Sequence, residues 1–170
     1  MQAKQWCAVL LAALSAWAGA VWAEAQTMGW VEKLRIAPAG IPLKAKLDTG
    51  ALTSSLHATQ IELFERADET WVRFVLDVED ADGRQHTLEL ERPKVRGVRI
   101  KEHEGEYDRR PVVMMQFCLG QQWHEAQFTL ADRSRFIYPV LLGRRFLRGV
   151  AIVDPSETFI TDAQCSEQPS

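Results

Sequence analysis

The sequence predicts an all-β domain, a small closed or nearly closed β-barrel carrying one short helix, on three observations. From Met28 onward the chain divides into stretches of seven or eight residues in which apolar and polar side chains alternate, the period of a strand with one buried face. Clusters of turn-forming residues separate these stretches at short intervals. Helix evidence is thin, limited to a turn or two over 58–67 and one short segment over 143–149.

Residues 30–37 (WVEKLRIA) form the first candidate strand, closed by a Pro38-Ala39-Gly40 break. Residues 41–47 (IPLKAKL) place Ile41, Leu43, Ala45 and Leu47 on one face and Lys44 and Lys46 on the other. Residues 58–67, with Thr59 as candidate cap, predict a turn or two of helix. Residues 71–78 alternate again, with Val72, Phe74, Leu76 and Val78 on one side. Asp-Ala-Asp-Gly at 80–83 signals a hairpin turn and 84–91 supplies the return strand. Further strands are expected at 94–100, 110–117 and 123–130, joined by turns at 103–107 (HEGEY) and 119–122 (LGQQ). Residues 143–149 (GRRFLRG) make the short helical segment and stop at a glycine.

Residues 1–23 read as a secretory signal peptide, so a periplasmic or secreted location is expected. Lys4 supplies the positive start, Cys7 to Ala20 the apolar core, and Val21 and Ala23 the small residues at the two recognition positions before a cut at Glu24. A permanent membrane helix is the rival, but an apolar run of about 17 residues is short for a span. Removing Lys4 with this leader takes the net charge from −3 to −4. The expected organisation is one domain over 24–163 and a disordered tail over 164–170. Mild acidity argues against a nucleic-acid partner, which would call for a basic stripe. Cys118 and Cys165 could pair in an oxidising compartment; alternatively Cys118 is a buried thiol and Cys165 sits in a loose tail.

One strand ends on chemistry. In 45–58 (AKLDTGALTSSLHA) the alternation stops at Asp48-Thr49-Gly50. A carboxylate that works as general base or acid on a peptide bond needs a tight loop that brings backbone amides to it. A hydroxyl can brace such a loop, and a glycine allows an approach that a Cβ would block. Asp-Thr-Gly after a strand is also ordinary turn chemistry, so this motif needs support from elsewhere. Support comes from 138–149 (YPVLLGRRFLRG), an apolar strand ending in Gly143 and followed at once by the short helix.

Taken with 71–76 (WVRFVL), 109–113 (RRPVV), 130–147 (LADRSRFIYPVLLGRRFL) and 152–156 (IVDPS), these blocks resemble, in the same chain order, single-domain aspartic peptidases of the retropepsin type. Within that group the chain is similar to bacterial proteins commonly labelled ATP-dependent zinc proteases and associated with ATP-grasp amino-acid ligases. The resemblance implies a retropepsin-like β-barrel with Asp48, Thr49 and Gly50 as the catalytic loop. The chain has a single Asp-Thr-Gly, so a carboxylate pair implies a homodimer in which Asp48 meets its partner's copy across a two-fold axis. It also implies a flap, expected over 96–113 with its tip at Glu104-Gly105-Glu106. Ala51, Gly105, Arg110 and Arg144 are the expected substrate-binding residues, and the substrate is a peptide or protein, with acidic, Glu-rich peptides suited to the arginines.

The sequence also departs from the retropepsin pattern. Leu52, Thr53 and Ser54 stand where acidic residues usually follow Asp-Thr-Gly-Ala, so Arg144 is expected either to pair with another acid such as Asp132 or to face the cleft. His57, His86, His103 and His124 are scattered and complete no His-Glu-x-x-His motif, and no Gly-rich phosphate loop occurs. Neither a metal nor a cofactor is therefore expected. Ser55 and His57 share a strand face, yet no third group and no Gly-x-Ser-x-Gly elbow accompany them. The competing reading is a catalytically silent barrel whose cleft holds a peptide or a membrane-protein partner.

Overall fold

The structure, a computed structural model, describes residues 25–101 and 107–166. It is all-β apart from one helical turn. The strands are β1 (Gln26–Ile36), β2 (Ile41–Asp48), β3 (Ser54–His57), β4 (Thr59–Arg66), β5 (Glu69–Glu79), β6 (Gln85–Lys101), β7 (Tyr107–Leu119), β8 (Gln122–Ala131), β9 (Val140–Gly143) and β10 (Ala151–Thr158), with α1 (Arg144–Leu147) between the last two. Six strands close on themselves in the order β1-β2-β9-β3-β8-β7, and β7 returns to β1 through Leu34↔Leu119, Arg35↔Cys118 and Ile36↔Phe117. The closed, retropepsin-like barrel expected from the sequence is what forms. Outside the ring, β6, β5 and β4 extend the sheet from β7, and β10 lies parallel to the outer part of β1.

Alternation along β2 sends Leu43, Ala45 and Leu47 into the core and leaves Lys44, Lys46 and Asp48 on the outward face. The core continues through Leu56, Phe117, Phe128 and Leu142, and the β5 residues Phe74 and Leu76 enter the same cluster. Fully burying side chains of this kind contributes about 1.5–3 kcal/mol each.

Two sequence expectations are corrected. Residues 59–66 form a strand and not a helix. Ala67 and Asp68 both take positive φ, 50° and 63°, which makes the two-residue turn that matches hairpin twist and pairs Arg66 with Glu69. Residues 84–91 and 94–100, read as two strands, belong to the single long β6. Pro93 lies where β6 leaves its pairing with β5 and begins pairing with β7 through Lys94↔Val113, a handover where a missing N–H is tolerated. The 80–83 turn forms as expected. Asp80 accepts from the Asp82 and Arg84 amides at 2.8 and 2.9 Å and bonds His86 Nε2 at 2.7 Å. The Arg84 amide, then His86 and the Asp82 amide, hold its carboxyl well below the usual range against the opposing effect of desolvation.

The C-terminal segment is tied to the barrel. Glu32 is fully buried on β1 and accepts from Gly29 N at 2.7 Å, Ile160 N at 3.2 Å, and Thr161 N and Oγ1 at 3.1 and 2.9 Å. Of the segment expected to be a disordered tail, 164–166 are described, and they are held. Gln164 N donates to Gly120 O at 2.9 Å, Cys165 forms a disulfide with Cys118, and Trp123 Nε1 donates to Ser166 O at 2.8 Å. The leader expected over 1–23 and the end of the tail lie outside the described residues. Among the described residues no helix is long and apolar enough to cross a membrane.

Candidate active site

Asp48 is the last residue of β2, and the topology explains its exposure. β9 runs parallel to β2, with Asp48 opposite Gly143, and antiparallel to β3 on its other side. The chain leaving β2 must therefore cross the end of β9 to begin β3, and residues 49–53 make that crossing. A Cβ on Gly143 would lie 2.6 Å from the carbonyl carbon and oxygen of Thr53, so only glycine lets the loop pass at this distance. The crossing is then fastened from the α1 side. Arg144 N donates to Ala51 O at 2.9 Å, Arg145 N to Leu52 O at 3.1 Å, and Gly143 N to Ser54 Oγ at 3.1 Å. This is the physical sense of an apolar-apolar-Gly-Arg segment distant in sequence from Asp-Thr-Gly.

Within the loop, Asp48 Oδ1 accepts from Gly50 N at 2.9 Å and Ala51 N at 3.2 Å. Oδ2 pairs with Lys46 Nζ at 3.0 Å. Burial of Asp48 works to raise its pKa; the Lys46 hydrogen bond and charge and the two amides outweigh that effect and lower it. Asp48 keeps 23% side-chain exposure, and Thr49 and Gly50 are exposed. The Thr49 hydroxyl bonds to nothing among the described residues. Grooves of about 520, 430 and 260 Å³ are lined by other residues, the first including Thr53 and Ser54 at the end of the loop, and Asp48 lines none of the three.

The expected substrate residues are placed differently from one another. Ala51 belongs to the Asp-Thr-Gly loop through both its amide and its carbonyl. Arg110, on β7, is half-buried, donates to Asp108, and lines the 430 Å³ groove with Lys94, Val98 and Pro111. Arg144 is exposed, and only its backbone amide is engaged with the loop. It does not pair with Asp132, whose carboxylate instead accepts from Ser134 N at 2.9 Å and approaches His57 Nδ1 at 3.7 Å. The flap candidate is a paired hairpin from Lys94↔Val113 to Lys101↔Tyr107, while Gly105 and the rest of its tip lie outside the described residues. His57 accepts the Arg133 amide on Nδ1 at 2.8 Å, and the Ser55 hydroxyl is buried without a partner, so the two do not form a nucleophile–base pair.

Two charged residues are not singled out by the sequence. Lys46 was only the polar face of a strand, although its i, i+2 spacing to Asp48 already places both on one side. Arg133 lies in the charged 132–135 stretch (DRSR), yet it is 9% exposed. Burial pushes its guanidinium below the usual range, with the Arg110 charge acting in the same direction and Asp48 opposing both.

Comparison with known proteins agrees with this geometry. Two relatives named "Probable alpha-L-glutamate ligase", from Shewanella halifaxensis and Shewanella pealeana, are 37% and 39% identical over 74% and 71% of the chain. The chain spans only about a quarter of their length, 27% and 26%. A crystal structure of a Legionella pneumophila protein of unknown function superposes with a TM-score of 0.68 at 35% identity, covering 81% of this chain and 98% of that one. A family model described as "RimB-like: Retropepsin-like aspartic endopeptidase RimB" matches residues 27–164. The chain, with its six-stranded barrel and its Asp-Thr-Gly loop fastened beneath by Gly143 and α1, belongs to this RimB-like family of retropepsin-like aspartic endopeptidases.

Proposed function

We propose that this chain is an exported aspartic endopeptidase that acts as a homodimer on acidic, Glu-rich peptides in the periplasm. One observation carries the reading. Asp48 is partly exposed with Oδ1 held by two backbone amides, beside an exposed Thr49 whose hydroxyl has no partner among the described residues, which is half of a site that a second copy would complete. In the paired site one carboxyl keeps a proton and the other is ionised, because like charges so close cannot both ionise. The ionised carboxylate takes a proton from water as the water oxygen bonds to the peptide carbonyl carbon. The protonated carboxyl donates to the carbonyl oxygen. Collapse of the resulting diol breaks the C–N bond, with the proton passing to the leaving nitrogen. The β6–β7 hairpin is suited to closing over the cleft and excluding bulk water.

The acidic substrate is supported by Lys46 beside Asp48, by the exposed Arg144 whose amide is fastened to the loop, and by the glutamate-linked name of the longer relatives. Export is supported by the leader-like composition of residues 1–23. The second reading, a silent module that holds a peptide or a membrane-protein partner, is favoured by the Lys46–Asp48 ion pair, which occupies Oδ2 in the single chain. The deciding experiment is cleavage of an acidic peptide library by residues 24–170 beside Asp48→Asn, from pH 3 to 8, with chelator and pepstatin-type controls. Chelator-indifferent cleavage that disappears in Asp48→Asn supports the peptidase. A folded dimer without cleavage turns the reading to the binding module.

A further inference from the structure

Among the described residues two buried side-chain oxygens have no hydrogen-bond partner, Ser55 Oγ and Thr129 Oγ1, and they are neighbours. β3 and β8 run parallel with Ser55 opposite Thr129. Leu56, Phe128 and Leu130, adjacent to them in the chain, belong to the core, so alternation turns both hydroxyls to the outer face of the barrel wall. Burying a hydroxyl without a partner costs free energy that an alanine or valine in the same place would not. A single such group needs no more than imperfect packing. Two in register, on strands far apart in the sequence, mark a place that keeps polar atoms for something outside the fold.

The strand register ties this pair to Asp48. Lys46 on β2 stands opposite Leu141 on β9, Leu141 opposite Ser55, Ser55 opposite Thr129, and Thr129 opposite Val112 on β7. Partners in a ladder share a face, so these five side chains form one row across the outer face. The row begins at Lys46, whose Nζ is 3.0 Å from Asp48 Oδ2. Burial deepens along it: Leu141 and Ser55 are partly exposed, Thr129 is 4% exposed and Val112 is fully buried. Neighbouring strands lie about 4.8 Å apart, so Ser55 is roughly 10 Å and Thr129 roughly 14 Å from the strand of Asp48, a span of about three or four residues of extended peptide. Val112↔Thr129 is also the last rung between β7 and β8; from Pro111 to Tyr107, β7 pairs with β6 alone. The hairpin thus leaves the barrel wall at the rung that holds the Thr129 hydroxyl, and a peptide lying between hairpin and barrel passes over it.

We propose that Ser55 and Thr129 form a subsite that takes the oxygen-bearing end of a substrate side chain, a carboxylate or a carboxamide, from a residue within about four positions of the scissile bond. The inference rests on the peptidase reading above and gives it a means of choosing glutamate-like side chains by hydrogen bonding, independent of charge. Each hydroxyl donates to the side-chain oxygen, and either can accept from a carboxamide N–H. An apolar side chain of the same length leaves both hydroxyls unpaired and is selected against. Ser55 and Thr129 are binding residues; they take no part in the proton transfers.

The test uses the full mature chain and fluorogenic peptides in which one residue at a time, within four positions of the scissile bond, is Glu, Gln or Met. The wild type should favour Glu and Gln over Met at one position of the scan. Gln and Met carry no charge, so their ratio reads hydrogen bonding apart from Lys46 and Arg144. Ser55→Ala and Thr129→Val should each lower the Gln-to-Met ratio of kcat/KM at that position by roughly 2- to 13-fold, the range of a neutral hydrogen bond. Because both hydroxyls are unpaired in the free chain, the urea midpoint should hold or rise in each variant. Ser55→Ala serves alone where Thr129→Val fails to fold. A ratio that the variants leave unchanged, or equal losses on Gln and Met peptides together with a lowered midpoint, would assign the hydroxyls to the scaffold and overturn the inference while leaving the peptidase intact. If the wild type cleaves no peptide, the peptidase reading fails separately. Calorimetric binding then judges the subsite: tighter binding of the Gln peptide than of its Met twin, abolished by Thr129→Val or Ser55→Ala, upholds it, and equal or undetectable binding of both overturns it.

Discussion

Replacing Lys46 with Met removes the cation from Asp48 without shortening the side chain, and the structure sets the size of the effect. Nζ stands 3.0 Å from Oδ2. Two unit charges at that distance in water attract by about 1.4 kcal/mol. The side chains are 41% and 23% exposed, so the pair behaves as a surface one, for which net contributions are about 0.2–1 kcal/mol. A loss of roughly 0.5 kcal/mol at neutral pH is therefore expected in urea denaturation. The sign of the pH dependence follows from the lowered pKa of Asp48. The folded carboxyl titrates below its unfolded value of 3.8, so the stabilisation is complete above that pH and is lost as the pH falls through the folded value. The gap between Lys46→Met and wild type should accordingly close in acid. Catalysis gives an independent readout. Lys46 favours the ionised form of the pair, so in Lys46→Met the whole bell of kcat/KM against pH should move to higher pH. Raised salt should shrink the difference between the two proteins. A profile that stays in place or moves down, or a stability gap indifferent to pH, would refute the assignment of Lys46 as the cation that tunes Asp48.

Two further outcomes test the architecture. Gly143→Ala should cost about 2–3 kcal/mol and disturb the Asp-Thr-Gly loop, because its Cβ would meet the Thr53 carbonyl at 2.6 Å; Gly97→Ala, with nothing within 4 Å, is the control in the same denaturation series. Cys165→Ser opens a crosslink between residues 47 apart and should lose roughly 2–4 kcal/mol, with urea curves that no longer respond to reductant.

Much of the barrel was legible because its strands have one wet face. The 41–47 alternation predicts β2 almost residue for residue, and 71–78 lies within β5. Failures came where local pattern was ambiguous. Residues 59–66 have no clean period of two, and their strand conformation depends on the Ala67-Asp68 turn and on pairing with β5. The insertion of β9 between β2 and β3 is a long-range fact with no periodic signature, and only the order of separated motifs hinted at it. At the site, Asp48, Thr49 and Gly50 could be located because a strand ending in a carboxylate and glycine breaks its own alternation. Arg133 could not be singled out, since its burial arises when Phe136 and Tyr138 fold back over it, and an Arg-Ser-Arg sequence alone reads as solvated.

The way the C-terminus is secured bears on what a second copy would have to supply. β10 lies against β1 of its own chain, and Glu32 satisfies the amides of Ile160 and Thr161 from inside the barrel. The Cys118–Cys165 bond then anchors the segment beyond them. Every strand of the ring is also drawn from one chain, so the ring and its apolar core need no partner to close. The Asp-Thr-Gly loop is likewise braced internally, by Gly143 and the first amides of α1. A single copy thus holds Asp48 in place with its Oδ2 engaged by Lys46. On the proposed function, what dimerisation adds is not folding but the second carboxylate, and Lys46 must yield or share Oδ2 as that carboxylate arrives. On that proposal fold and activity are separable: the barrel closes within one chain, and the chemistry needs two.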